Sequence, residues 1–142
     1  LEEIMNIKRI SNVILAVKNM NESIKFYHEI LGMPIKNQRD NWVDLGQTGA
    51  VLSLHPAEQS EPHSGTSVHN GVLVGLVVGD VQSAIDELKK KNVNVFRDVQ
   101  EKDAGKNAII VDPDDYMISL FEPNFSKEKD QQTAGYVGFT PA

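Results

Sequence analysis

"ISNVILAVKNMNESIKFYHEILGM", residues 10–33, sets a strand, a cap and a helix in succession. Val13, Leu15 and Val17 recur at every second position, so Ser11 to Val17 reads as a strand with those three on one face. Asn19-Met20-Asn21 then offers side chains suited to capping a helix. Ser23 to Leu31 reads as that helix, with Ile24, Tyr27 and Leu31 on one stripe and Gly32 as the residue that ends it. Further on, Trp42 to Leu45 reads as a short strand. Gly46-Gln47-Thr48-Gly49 follows as a turn, and Ala50 to His55 as the returning strand.

The same order recurs from "VLVGLVVGDVQSAIDELKKKNV", residues 72–93. Val72 to Val78 is a strand with Val74, Leu76 and Val78 on one face, and Asp80 is the N-cap. Val81 to Lys91 is a helix with Val81, Ala84, Ile85 and Leu88 inward. Val93 to Phe96 and Asn107 to Val111 are short strands. The turn Asp112-Pro113-Asp114-Asp115 leads into the strand Tyr116 to Phe121. Val17-Lys18-Asn19 matches Val78-Gly79-Asp80, and Leu45 stands before Ser53 as Val111 stands before Ser119. The chain is therefore two copies of one β-α-β-β-β unit, an internal repeat. The first spans residues 5–55 and the second 71–123. A Pro-, Ser-, Glu- and Gly-rich linker at 56–70 joins them, and a polar tail occupies 124–142. Tyr136, Val137 and Phe139 in the tail favour some docking on the surface. The expected fold class is α+β, with mixed sheets curled around a cleft and helices outside.

Composition narrows the functional classes. A formal net charge of −6 and the lack of a Lys/Arg stripe argue against nucleic acid as a partner. Lys89-Lys90-Lys91, the one basic cluster, falls at a helix C-terminus, where cations complement the helix dipole. No apolar run approaches the roughly 20 residues that cross a bilayer, so no membrane partner is expected. No basic stretch precedes an apolar one, so no signal peptide is expected. The chain has no cysteine, which excludes disulfides and thiolate metal sites and fits a cytoplasmic protein.

The stretch 10–33 with "VLSLHP" (51–56), and 72–93 with "VDPDDYMISLFEP" (111–123), resembles the vicinal oxygen chelate superfamily. That superfamily comprises glyoxalase I, bleomycin-resistance proteins, fosfomycin-resistance enzymes and extradiol dioxygenases. Phe26-Tyr27 through Leu31-Gly32 and the Asp112-Pro113-Asp114 turn carry the likeness most specifically. The resemblance implies that each sheet packs its apolar face on its helix and turns the other face to a ligand. Alternation then assigns the ligand faces. In the first unit that face carries Asn12, Ile14, Ala16, Trp42, Asp44, Val51, Ser53 and His55. In the second it carries Leu73, Gly75, Val77, Ala108, Ile110, Met117, Ser119 and Phe121.

Metal-dependent members of the superfamily place a His or Gln on the first strand of a unit and a Glu on the last. Divalent-metal chemistry needs such N and O donors with open positions, so that the cation polarises the substrate's oxygens. The resemblance puts those ligands at Asn12, Ser53, Leu73 and Ser119, where this chain offers two serines, an asparagine and a leucine. Leu binds no metal, and Asn and Ser bring no charge to offset a dication. No metal and no other cofactor is therefore expected. A displaced cluster of His55 with His63, His69, Glu58 or Glu61 matches no strong spacing, and His63 and His69 read as solvated loop residues.

What remains is a lopsided ligand surface, polar in unit one (Asn12, Trp42, Asp44, Ser53, His55) and mostly apolar in unit two (Leu73, Ser119, Phe121). Trp42 could stack on a planar or cationic ligand, or serve core or dimer packing. His55 is the best acid–base candidate, since histidine ordinarily titrates near neutrality. Asp40 is its expected cross-strand neighbour. A metal-free binding protein that sequesters a small organic molecule is the leading expectation. A lyase or isomerase with unusual ligands, and a degenerate interaction module, stand as alternatives. The resemblance also implies a homodimer.

Overall fold

The computed structural model describes residue 6, residues 8–57 and residues 72–124. The chain divides into two compact units, Leu1–His63 and Ser64–Ala142. Each holds a four-stranded mixed sheet, giving an α+β protein with open sheets. Residues 58–71, with His63, His69, Glu58 and Glu61, and the tail beyond Asn124 lie outside the described residues.

In unit one the strands are β1 (Asn12–Val17), β2 (Ile35–Arg39), β3 (Trp42–Leu45) and β4 (Val51–Pro56), in spatial order β1-β4-β3-β2. β1 runs parallel to β4, and the other neighbours are antiparallel. Leu15, Val17, Val43, Leu45, Leu52 and Leu54 are buried on one face, which is the alternation read from the sequence. Helix α1 (Met20–Ile24) is capped by Asn19, whose side chain accepts from the Glu22 N–H. It starts before the expected Ser23, and from Lys25 to Ile30 it widens into a π-helix, so that Leu31 N–H donates to Phe26 O at 2.9 Å. The wider turn shifts the buried stripe. Ser23, Phe26 and Tyr27 are buried, and the two rings meet edge to face at 4.9 Å, while Ile24 and Leu31 stay half-exposed. β2 was not foreseen, because four of its five residues are exposed and an edge strand without a buried face carries no alternation.

Unit two repeats the order with β5 (Val74–Val77), α2 (Val81–Lys90), β6 (Asn94–Lys102), β7 (Gly105–Val111) and β8 (Met117–Pro123), arranged β5-β8-β7-β6. Asp80 caps α2 by accepting from the Ser83 N–H at 3.0 Å. The Glu122 carboxylate accepts from the Val81 N–H at 2.9 Å, tying β8 to the helix start. Val81, Ile85 and Leu88 are buried, and α2 packs on β6, β7 and β8. β6 and β7 extend further than expected, as a hairpin joined through Asp103-Ala104.

The register of β7 corrects one assignment. Ile109 pairs with Ser119 and Asn107 with Phe121, whereas Ala108 pairs with Leu120 and Ile110 with Ile118. Directly paired residues share a face, so Asn107 and Ile109 lie on the side of Ser119, and Ala108 and Ile110 on the other. The sequence alignment of the two copies had put them the opposite way. The cause is a connection one residue shorter: Leu45 pairs with Leu52 in unit one, but Val111 pairs with Met117 in unit two. A slip of one residue exchanges the faces of a whole strand.

Candidate functional site

Unit one brings its five predicted site residues onto one face. Asp44 pairs with Ser53 across β3–β4, and β1 places Ile14 beside Ser53 and Ala16 beside His55. The side chains form a connected network. The Asn12 amide donates to the Ser53 Oγ at 3.0 Å, and the Ser53 hydroxyl donates to the Asp44 Oδ1 at 2.6 Å. The Trp42 indole N–H reaches the same Oδ1 at 2.7 Å, and the Ser11 hydroxyl donates to Asn12 at 2.7 Å. Among the described residues, the second carboxylate oxygen of Asp44 receives only a long 3.5 Å contact, from the Asn37 amide. The Ser53 hydrogen bond holds Asp44 below the ordinary carboxylate range. The Trp42 and Asn37 hydrogen bonds and the nearby Arg39 charge act the same way, against partial desolvation.

His55 stacks on Trp42, with centroids 5.9 Å apart and planes 18° from parallel. Trp42, and not Asp40, is therefore its cross-strand neighbour; Asp40 lies in the β2–β3 turn. The His55 side chain has no hydrogen-bond partner among the described residues, so none of them orients it as a general base is oriented.

Unit two contains Leu73, Ser119 and Phe121. Leu73 is half-buried just before β5, Ser119 is wholly buried, and Phe121 is buried opposite Asn107. Two polar residues that the sequence reading missed join Ser119. The Asn107 amide N–H donates to the Ser119 Oγ at 2.5 Å and to the Leu120 carbonyl at 3.2 Å, and the Asn107 Oδ1 accepts from the Arg97 Nη2 at 2.5 Å. The face error on β7 hid Asn107. Arg97 sits on β6, whose register shifts beside it, so alternation does not reach it reliably. A surface pocket of about 380 Å³ lies between the β6–β7 hairpin and the end of β8, and none of the predicted site residues lines it.

The donors at the superfamily's metal positions do not fit a divalent cation. The Ser53 hydroxyl already donates to Asp44 and accepts from Asn12, Ser119 accepts from Asn107, and Leu73 has no donor atom. Among the described residues no three His, Asp or Glu side chains are grouped to hold a metal. Nor is any helix among them long and apolar enough to cross a membrane.

The family model described as "Glyoxalase/Bleomycin resistance protein/Dioxygenase superfamily" matches residues 9–120. The chain belongs to this superfamily. A probable lactoylglutathione lyase of Vibrio parahaemolyticus is 30% identical over 127 residues, covering 80% of this chain and 90% of that protein. The trypanothione-dependent glyoxalase I of Leishmania major superposes with a TM-score of 0.69 at 26% identity, covering 94% of this chain and 99% of that one. An antibiotic binding protein from Streptomyces sp. CB03234 shares the fold, with a TM-score of 0.65 at 21% identity and coverage of 85% and 100%. The fold is thus shared by a glyoxalase I and an antibiotic binding protein, and residues must distinguish such roles.

Proposed function

We propose that this chain is a binding member of the superfamily, holding a small organic molecule against the polar face of unit one without a metal at the family's ligand positions. The observation that carries this reading is the Asn12–Ser53–Asp44–Trp42 network. It uses the would-be ligand atoms in mutual hydrogen bonds, yet among the described residues leaves one Asp44 oxygen with only a 3.5 Å contact. An ionised carboxylate beside an indole suits a ligand that presents an N–H or a cationic group next to a flat ring. A net charge of −6 favours the approach of such a ligand. Among the described residues no nucleophile, base and orienter stand together on this face, so the ligand would be held unchanged.

Trp42 is the one tryptophan in the chain, so its fluorescence reports on this face directly. Screening amine-bearing aromatic compounds by that signal should find ligands whose binding survives chelator treatment and weakens in Asp44→Asn. A second reading, a lyase, draws support from the 30% identical lactoylglutathione lyase relative. Formation of lactoylglutathione from methylglyoxal and glutathione by protein carrying a stoichiometric divalent metal would establish the lyase and sink the binding reading.

A further inference from the structure

Unit two holds a cation whose charge no described residue beside it offsets. Arg97 is half-buried on β6, paired with Ile109 and so on the face of Ser119. Of its five N–H donors, one meets the Asn107 Oδ1, and the buried Nε has no hydrogen-bond partner. No carboxylate among the described residues forms an ion pair with it. The neighbouring Asp98 is engaged elsewhere, 2.7 Å from the Lys89 ammonium. A guanidinium drawn partly out of water without a counter-charge is unfavourable unless something anionic completes it.

The support beneath Arg97 is a chain of hydrogen bonds. Asn107 is fixed from below by the wholly buried Ser119 hydroxyl and the Leu120 carbonyl, which orient its amide so that the Oδ1 faces Arg97. Asn107 positions the fork and brings no charge of its own. Side chains held this way meet an incoming group at little further cost in ordering.

We infer that Arg97, positioned by Asn107 and Ser119, receives an oxyanion at unit two, a carboxylate or a phosphate-type group. A guanidinium matches the geometry of either through paired N–H···O bonds. This goes beyond the binding reading of unit one, and small anions test it directly.

The chain has three arginines, and Arg9 and Arg39 are exposed, so the Nε–H signals of an isotope-labelled sample resolve into one test and two controls. Titrating inorganic phosphate, and separately acetate, should move the Arg97 signal along a saturating curve while Arg9 and Arg39 drift linearly with ionic strength. Phosphate saturating first would mark a tetrahedral oxyanion, and acetate first a carboxylate. Asn107→Asp places a carboxylate against Arg97 with little change in shape, and should weaken the apparent anion affinity by roughly tenfold or more. Arg97 following the same linear drift as the controls, or an unchanged affinity in Asn107→Asp, overturns the inference. Neither result bears on what binds Trp42.

Discussion

Ser53 is completely buried, so its hydroxyl must find partners inside the protein. It donates to Asp44 and accepts from Asn12. Ser53→Ala removes both contacts and leaves Asn12 and Asp44 short of a partner, which should cost about 1–3 kcal/mol in urea unfolding. Asp44 gives the same network a pH signature. Its folded-state pKa lies below the unfolded value of 3.8, mainly because of the Ser53 hydrogen bond. The stabilisation is therefore complete above that value and drains away as pH falls through the lower, folded pKa. Urea midpoints followed from neutral pH into acid should fall more steeply in wild type than in Asp44→Asn. Parallel curves would show that the carboxylate is not held by its neighbours. Composition and alternation showed that Asp44 and Ser53 share a face. They could not show the bonds between them, which depend on the β3–β4 register.

At the scale of elements, the sequence was legible wherever a face is buried. Val81, Ile85 and Leu88 in α2 and the alternating core of β1, β3 and β4 announced themselves by period. It failed at β2, exposed along most of its length, and at the π-helical turn, whose period differs from the one assumed. It failed again at β7, where neighbouring residues from Asn107 to Ile110 are all buried and the period falls silent. The β6–β7 hairpin offers a sharper test. Gly105 has φ +151°, and a Cβ there would meet the Glu122 carbonyl oxygen at 2.1 Å. Gly105→Ala must push β8 aside or open the hairpin, and should destabilise by on the order of 2–4 kcal/mol, read from the urea midpoint. Asn19→Ala should cost about 1 kcal/mol through the lost cap of α1, a milder effect on a separate element.

At the scale of the whole chain, the two units share a scaffold but not a charge. At matching positions each has a wholly buried serine, Ser53 and Ser119. Ser53 is bonded to an anion, Asp44, whereas Ser119 is tied through Asn107 to a cation, Arg97. The repeat alone could not reveal this divergence, because both units keep the apolar pattern that specifies the fold while the polar partners come from different strands. The consequence for metal is direct. A dication needs donors that can offset its charge. Here one serine donates its hydrogen bond to the Asp44 carboxylate, and the other belongs to a network that ends in a guanidinium. A metal bound at 100 times its dissociation constant would add about 2.7 kcal/mol to stability. That corresponds to a rise in Tm of several degrees, roughly 2–4 °C per kcal/mol at this chain length. Zinc and nickel, added in turn to chelator-treated protein, should leave Tm where it was, and chelator should lower it no further. A rise of that size on adding stoichiometric metal would mean that donors beyond Asn12, Ser53, Leu73 and Ser119 complete a site. The binding reading would then give way to the lyase.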